Sequence, residues 1–347
     1  MSNNSTARLI RQDQLVAFDN WDKLPPKLQG LGTRVVLIGP DGYLFDLSGP
    51  QAGRQGVRLA KTLQGEHHWP FELLITEGAY QVGVTIERTN YKGRIINAGV
   101  TIGGHNPPMT EFQYRWADNR FWGQMEQDKP SWLGVYTRFT GWRWTQVRLR
   151  ATVDTAQSID VTAFGNNTAT EDVTFIAEKP YYAKRMKFET WDAQKARLNP
   201  TDDDDGDPTT GMIALANCGD LPSCPIFLVV GAGDCSLQDG TTDMMVPLPK
   251  ILSTDGYVIA NSDPEEITLV SSKDPVDNLF YARIRASKIL EAFLHNLADR
   301  GERIDLRMQH RFHSPVPPGT VAHIRVKHDN PHAQVTAFMP QHFKRSR

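Results

Sequence analysis

The chain has 347 residues, with 38 lysines and arginines against 40 aspartates and glutamates and a formal net charge of -2. That length supports two or three hydrophobic cores, and the near balance of charge argues against a dedicated nucleic-acid or membrane-surface binder, whose electrostatics need a basic excess. The three cysteines, Cys218, Cys224 and Cys235, lack C-x-x-C spacing, fit neither a zinc site nor a disulfide framework, and are expected to be reduced, structural thiols.

In chain order, "MSNNSTARLIRQDQ" is polar and has no apolar signal-peptide stretch, so the chain is expected to be made and kept in a cytosol. The longest apolar run, Ile226 to Val230, is too short to span a bilayer. "RVVLI" leads through Gly39-Pro40-Asp41-Gly42 into "YLFDL", a type I turn between two apolar runs, which predicts a hairpin. The next stretch, "DLSGPQAGRQGVRLAKTLQG" (Asp46 to Gly65), combines glycines with arginines but has no P-loop or dinucleotide fingerprint. It reads as an extended connection with glycines at left-handed or bulged positions. Val82, Val84 and Ile86 alternate with polar residues, predicting a strand with one buried face, and "GRIINAGVTIGG" continues in the same style.

Thr110 followed by Gln113 is a capping-box arrangement, and the apolar spacing through Phe112, Trp116 and Phe121 predicts a helix from Thr110 to Gln124. Val147, Leu149, Ala151 and Val153 alternate as another strand of the same sheet system. "NPTDDDDGDPTT" (Asn199 to Thr210) is a run of consecutive aspartates that fails the calcium-loop template and reads as a solvated loop. Beyond it "PIFLVV", "EITLV", "RIDLRM", "AHIRVKH" and "QVTAF" predict a second all-β unit. Ile284, Ile289, Leu290, Phe293, Leu294 and Leu297 predict a helix inserted over Asp277 to Arg300.

No signature of a nucleophile, metal centre or phosphate site occurs, so no catalytic residue, cofactor or metal is assigned and the chain is expected not to be an enzyme. His67-His68 and the pair His310 and His313 are the closest approach to a metal cluster; a strand through the latter pair would point its rings to opposite faces. Eight aromatics lie between Trp116 and Trp144, near Arg120, Arg138 and Arg143: Trp116, Phe121, Trp122, Trp132, Tyr136, Phe139, Trp142 and Trp144. They could stack bases or sugars, or form a protein interface, but ordinary packing is the favoured reading.

Two segments carry a resemblance. Gly49, Pro50, Ala52, Gly53, Arg54, Gly56 and Val57, then Pro130 to Tyr136 in "PSWLGVY", resemble the minor tail proteins of phages infecting actinobacteria, with Lys129 where arginine is expected. Those proteins are similar to the distal tail protein of long-tailed phages. The resemblance implies a mainly β chain: a β-sandwich-like, ring-forming domain with one helix over residues 1–165, and an outward galectin-like β-sandwich with an inserted helix over residues 166–347. It implies a structural virion component at the distal end of the tail, synthesised in the host bacterial cytoplasm, that forms a homo-hexameric adaptor ring. Implied partners are the tail tube, tape-measure and tail-hub or baseplate proteins, with genome DNA passing through the ring unbound. Arg54, Trp132, Tyr136 and Trp142 are the implied subunit-interface residues, and Arg58 a further partner for carboxylates of the next subunit. The alternative is a carbohydrate-binding tail protein that contacts a host surface glycan.

Overall fold

The turn at Gly39-Pro40-Asp41-Gly42 forms as its residues require. The Gly42 N–H donates to the Gly39 carbonyl at 2.9 Å and Gly42 takes a φ of 80°, joining β1 (Arg34–Ile38) to β2 (Leu44–Ser48) in an antiparallel hairpin. The structure is a computed structural model that describes residues 32–61, 63–104, 108–125, 128–153, 160–163, 165–198, 209–266, 269–272, 302–304 and 307–347. The aspartate run and the inserted helix expected over Asp277 to Arg300 lie outside the described residues.

The chain divides into two compact units, one running to Tyr182 and taking back Lys344–Arg347, the other comprising Ala183–Phe343. In the first, β1 pairs with β2 on one side and with β7 (Ser131–Thr137) on the other, and β7 pairs with β8 (Gly141–Leu149). A second layer comprises β3 (Val57–Leu59), β6 (Arg94–Gly103) and β9 (Thr168–Ala177). β8 joins the layers, because its end at Arg148 and Leu149 leaves β7 and pairs with Ile176 and Phe175 of β9. Strands that change sheets in this way close the corner of a sandwich. Val35, Leu37, Phe45, Leu133 and Val147 face Val57, Ile96, Val100, Ile102 and Phe175 across the core. The strand β9 follows residue 165 and pairs along its whole length with β6, so it is part of this unit. β8 ends at Leu149, short of Ala151 and Val153.

Helix α1 (Glu111–Trp122) has the expected capping box: Thr110 Oγ1 accepts from the Gln113 N–H at 3.3 Å, and Gln113 Oε1 accepts from the Thr110 N–H at 3.0 Å. It buries Tyr114, Ala117 and Phe121 in the core. The Gly/Arg stretch passes beneath it as a tight connection, with Gly49, Gly53, Gly56 and Gly65 all at positive φ. It packs against the helix at Gly56, where a Cβ would stand 2.7 Å from the Cβ of Ala117 on a backbone of φ +85°. Gly56→Ala should therefore destabilise the first unit by about 2–4 kcal/mol, the sum of a left-handed alanine and an overpacked contact. Chemical denaturation reads this directly; a loss below about 1 kcal/mol would mean the helix yields.

In the second unit one sheet runs β10 (Tyr182–Asp192), β19 (Gln334–Phe343), β12 (Ile226–Val230), β15 (Tyr257–Asn261), β16 (Leu269–Ser272), β17 (Glu302–Arg303). The other runs β11 (Thr210–Ala216), β18 (Val321–His328), β13 (Cys235–Gln238), β14 (Met245–Pro247). A short helix, α2 (Ala193–Leu198), follows β10. Along β18 burial alternates strictly, so Ala322, Ile324 and Val326 enter the core between the sheets while their neighbours face solvent.

That buried row ends in His328, fully enclosed, whose Nδ1 accepts from the Asn330 N–H at 3.0 Å. Burial lowers its pKa below the ordinary 6.5, against the opposing pull of Asp329 and Asp234. A neutral ring is thus part of the native state. The stability it contributes is complete above pH 6.5 and is lost as the pH falls through the lowered folded value. Second-unit denaturation at pH 7.5 and 5.5 should show a smaller acid loss in His328→Asn, whose amide oxygen can still accept from residue 330; equal losses would contradict this assignment.

Candidate functional site

The alternation at Val82, Val84 and Ile86 has a different outcome from the one expected. The strand there is β5 (Thr85–Tyr91), which pairs with β4 (Phe71–Thr76) in a separate two-stranded sheet, and its apolar face is not buried. Val82 is 105% and Val84 47% exposed. Periodicity reports which side chains share a face but not what covers that face.

The register makes this arm amphipathic. Phe71 lies opposite Tyr91, Leu73 opposite Thr89 and, across a register shift between Leu74 and Ile75 that leaves Glu87 as the extra residue, Ile75 lies opposite Ile86, placing an apolar ladder on one face. The alternate pairs, Glu72 with Asn90, Leu74 with Arg88 and Thr76 with Thr85, make the other face largely polar. There Lys92 pairs with Glu72, and Thr76 donates to Glu87. The ladder residues Phe71, Ile75, Ile86 and Tyr91 are 60, 48, 57 and 59% exposed. At the root, Trp69 packs edge-on against Tyr91 at 5.0 Å, and the Lys92 N–H closes on the Pro70 carbonyl at 3.2 Å. An open apolar face of this kind on a built hairpin makes the arm a candidate interaction surface.

A second apolar surface lies on α1. Phe112 and Trp116, one helical turn apart, are 78% and 50% exposed. Arg120 continues the same row, its guanidinium 4.4 Å above the Tyr43 ring, which itself meets Trp116 edge-on at 6.4 Å. Arg115 steadies the helix through Glu111 at 2.8 Å, Asp160 at 3.2 Å and Thr162 at 3.0 Å.

The framework holding the arm's root depends on Arg94, which is completely buried. Its guanidinium donates to five carbonyl oxygens, those of Gly65, Glu66, His68, Pro180 and Lys344, at 2.7 to 3.2 Å. It lies 5.0 Å over the ring of Tyr182, whose hydroxyl also donates to the Glu66 carbonyl. One side chain thus ties the segment before β4, the turn before β10 and the segment Lys344–Arg347 together. Around it Ser346 donates to the Glu66 carboxylate, Arg347 pairs with the same group at 3.2 Å, and Arg143 donates to the Arg345 carbonyl at 2.9 Å. His67 touches Ser346 at 3.2 Å, and burial lowers its pKa against the pull of Glu66.

The four interface residues named from the sequence are not brought together as one surface. Trp132 and Tyr136 are 8% and 4% exposed, inside their own unit. Trp142 is half-buried, stacked on Trp144 at 5.1 Å with Arg34 over its ring at 5.4 Å. Arg34 is itself in a buried ion pair with Asp46 across β1 and β2. Arg54 is exposed on the Gly/Arg connection. Sequence reasoning missed the arm as a site and missed Arg94.

Among the described residues no group of three or more His, Cys, Asp or Glu side chains is placed to hold a metal ion. His310 and His313 are exposed in a loop rather than on a strand, where the His313 and Ser314 N–H groups donate to Asp239. Cys218, Cys224 and Cys235 form no disulfide; burial first, with nearby carboxylates, pushes Cys224 up to about 11 and Cys235 up to about 12. Among the described residues no helix is long and apolar enough to cross a membrane.

No family model matches the chain, and no curated protein matches it. Solved structures do. Chains from two structures of the phage P2 baseplate in its activated conformation, with Ca and with Sr, each align at a TM-score of 0.52 and 10% identity, over 89% of this chain and 98% of theirs. The Dit protein of phage SPP1, described as a paradigm of the hub adsorption apparatus in phages infecting Gram-positive bacteria, aligns at a TM-score of 0.49 and 11% identity, over 89% of this chain and 99% of its own. The structural neighbours are thus hub and baseplate proteins of phage tails, and the mainly β fold is the one this chain shares with the baseplate chains.

Proposed function

We propose that the chain is a structural, non-enzymatic protein of a phage tail tip, a distal-tail-type hub whose first unit closes six copies into an adaptor ring. The observation that carries this reading is the fold shared with a phage baseplate chain over nearly the full length of both. The motifs at Gly49–Val57 and Pro130–Tyr136 point the same way, and to an actinobacterial host. The ring joins the tail tube to tape-measure and baseplate proteins. The near-neutral charge of each chain, -2, suits a bore through which DNA slides, since each phosphate neutralised would retard passage. The second unit is the galectin-like sandwich and the candidate for contact with a host glycan. Gold-labelled antibody against the chain should decorate the distal tail end of the purified particle. Label on the capsid, or none on intact particles, would refute the reading.

A further inference from the structure

The geometry points to one particular joint between copies: the apolar ladder of the β4–β5 arm on one copy seats along the Phe112–Trp116–Arg120 row of α1 on the next. This rests on the ring reading, which it makes specific. A ring is built from a heterologous interface, so each subunit must present two different, complementary patches. The arm is one of them. Outside the arm, the large exposed apolar side chains described in the first unit are Ile95, Phe112, Trp116 and Phe139, and only Phe112 and Trp116 are neighbours on one element.

The two surfaces also match in length and charge. From Phe71 to Ile75 the ladder spans about 14 Å at the rise of an extended strand, and from Phe112 to Arg120 the helix rises about 12 Å. Beyond Ile75 the arm carries Glu77, and the helical row ends in Arg120, so a single alignment brings carboxylate to guanidinium while the apolar rungs meet Phe112 and Trp116. The acceptor is rigid, since α1 is capped at Thr110 and braced by Arg115. The hydrogen-bonded arm also brings a preformed face, which limits the ordering cost of association.

The test uses the full chain. A photoreactive phenylalanine analogue placed at Ile75 in an unlabelled copy is mixed at high concentration with an isotopically heavy wild-type copy, and the adduct is mapped by mass spectrometry. Mixed-isotope adducts within Glu111–Trp122 are expected. Adducts elsewhere, or none between copies, would overturn the joint. Two variants at exposed positions sharpen the outcome: Ile75→Glu with Ile86→Glu disables the arm, and Phe112→Ser with Trp116→Ser disables the row. Each alone should sediment as a monomer with association weakened at least tenfold, whereas their mixture should stop at a dimer, because only one joint between them is intact. Assembly that survives the helix change but not the arm change would overturn the acceptor assigned here while leaving the ring standing. Wild-type particles lacking any ring would instead refute the underlying reading.

Discussion

Arg94→Met should abolish the folded first unit. The guanidinium is the donor for five backbone carbonyls in a site closed to water, and a buried acceptor left unmet costs about 1–3 kcal/mol. Even with partial rescue by entering water, several such losses approach the roughly 5–15 kcal/mol that holds a domain together. Arg94→Lys should fall between, since an ammonium has three donors on a single centre and cannot span the fork that reaches Pro180 on one side and Glu66 on the other. Hydrogen exchange localises the effect: amides of β6 and β9 should lose protection in the methionine variant. A melting temperature within about 2 °C of wild type, corresponding to less than about 1 kcal/mol in a unit of this size, would show that the network is dispensable.

Excising the arm should have the opposite signature. Replacing Glu72–Asn90 by an Asn-Gly turn removes a two-stranded sheet that pairs with no other strand and contributes nothing to either described core cluster. Thermal stability is therefore expected to hold, within about 1 kcal/mol as for surface changes. Assembly is expected to fail, because the removed ladder is the only amphipathic hairpin among the described residues with its apolar face open. A variant that still entered particles at wild-type copy number would show that the arm is not the joint. One that failed to fold would show that its apolar face is needed within the monomer.

These two expectations separate what local pattern reveals from what it conceals. The Gly39–Gly42 turn, the capping box at Thr110 and the alternation along β18 are short-range features whose physics lies within a few residues, and each forms as its residues dictate. The arm was half legible. Its period of two marked Ile86, which joins the ladder, but Val82 and Val84 fall outside the strand, and burial depends on partners that no local pattern names. Arg94 was not legible at all, because its partners are backbone carbonyls, which every residue possesses, and one of them lies 250 positions away at Lys344. The aromatic run from Tyr114 to Trp144 was ambiguous for a related reason: packing and binding favour the same residue types. The fold resolves it by placing Trp132, Tyr136 and Trp144 inside and leaving Trp116 and Phe139 outside.

Copy number around the tail axis tests the account most directly. Electron microscopy of the assembled particle, with the first unit fitted as a rigid body, should show a closed ring of six copies at the distal end of the tail tube, each arm resting on its neighbour's α1. A single copy, a peripheral fibre position, or a ring in which the arms touch no adjacent subunit would contradict it.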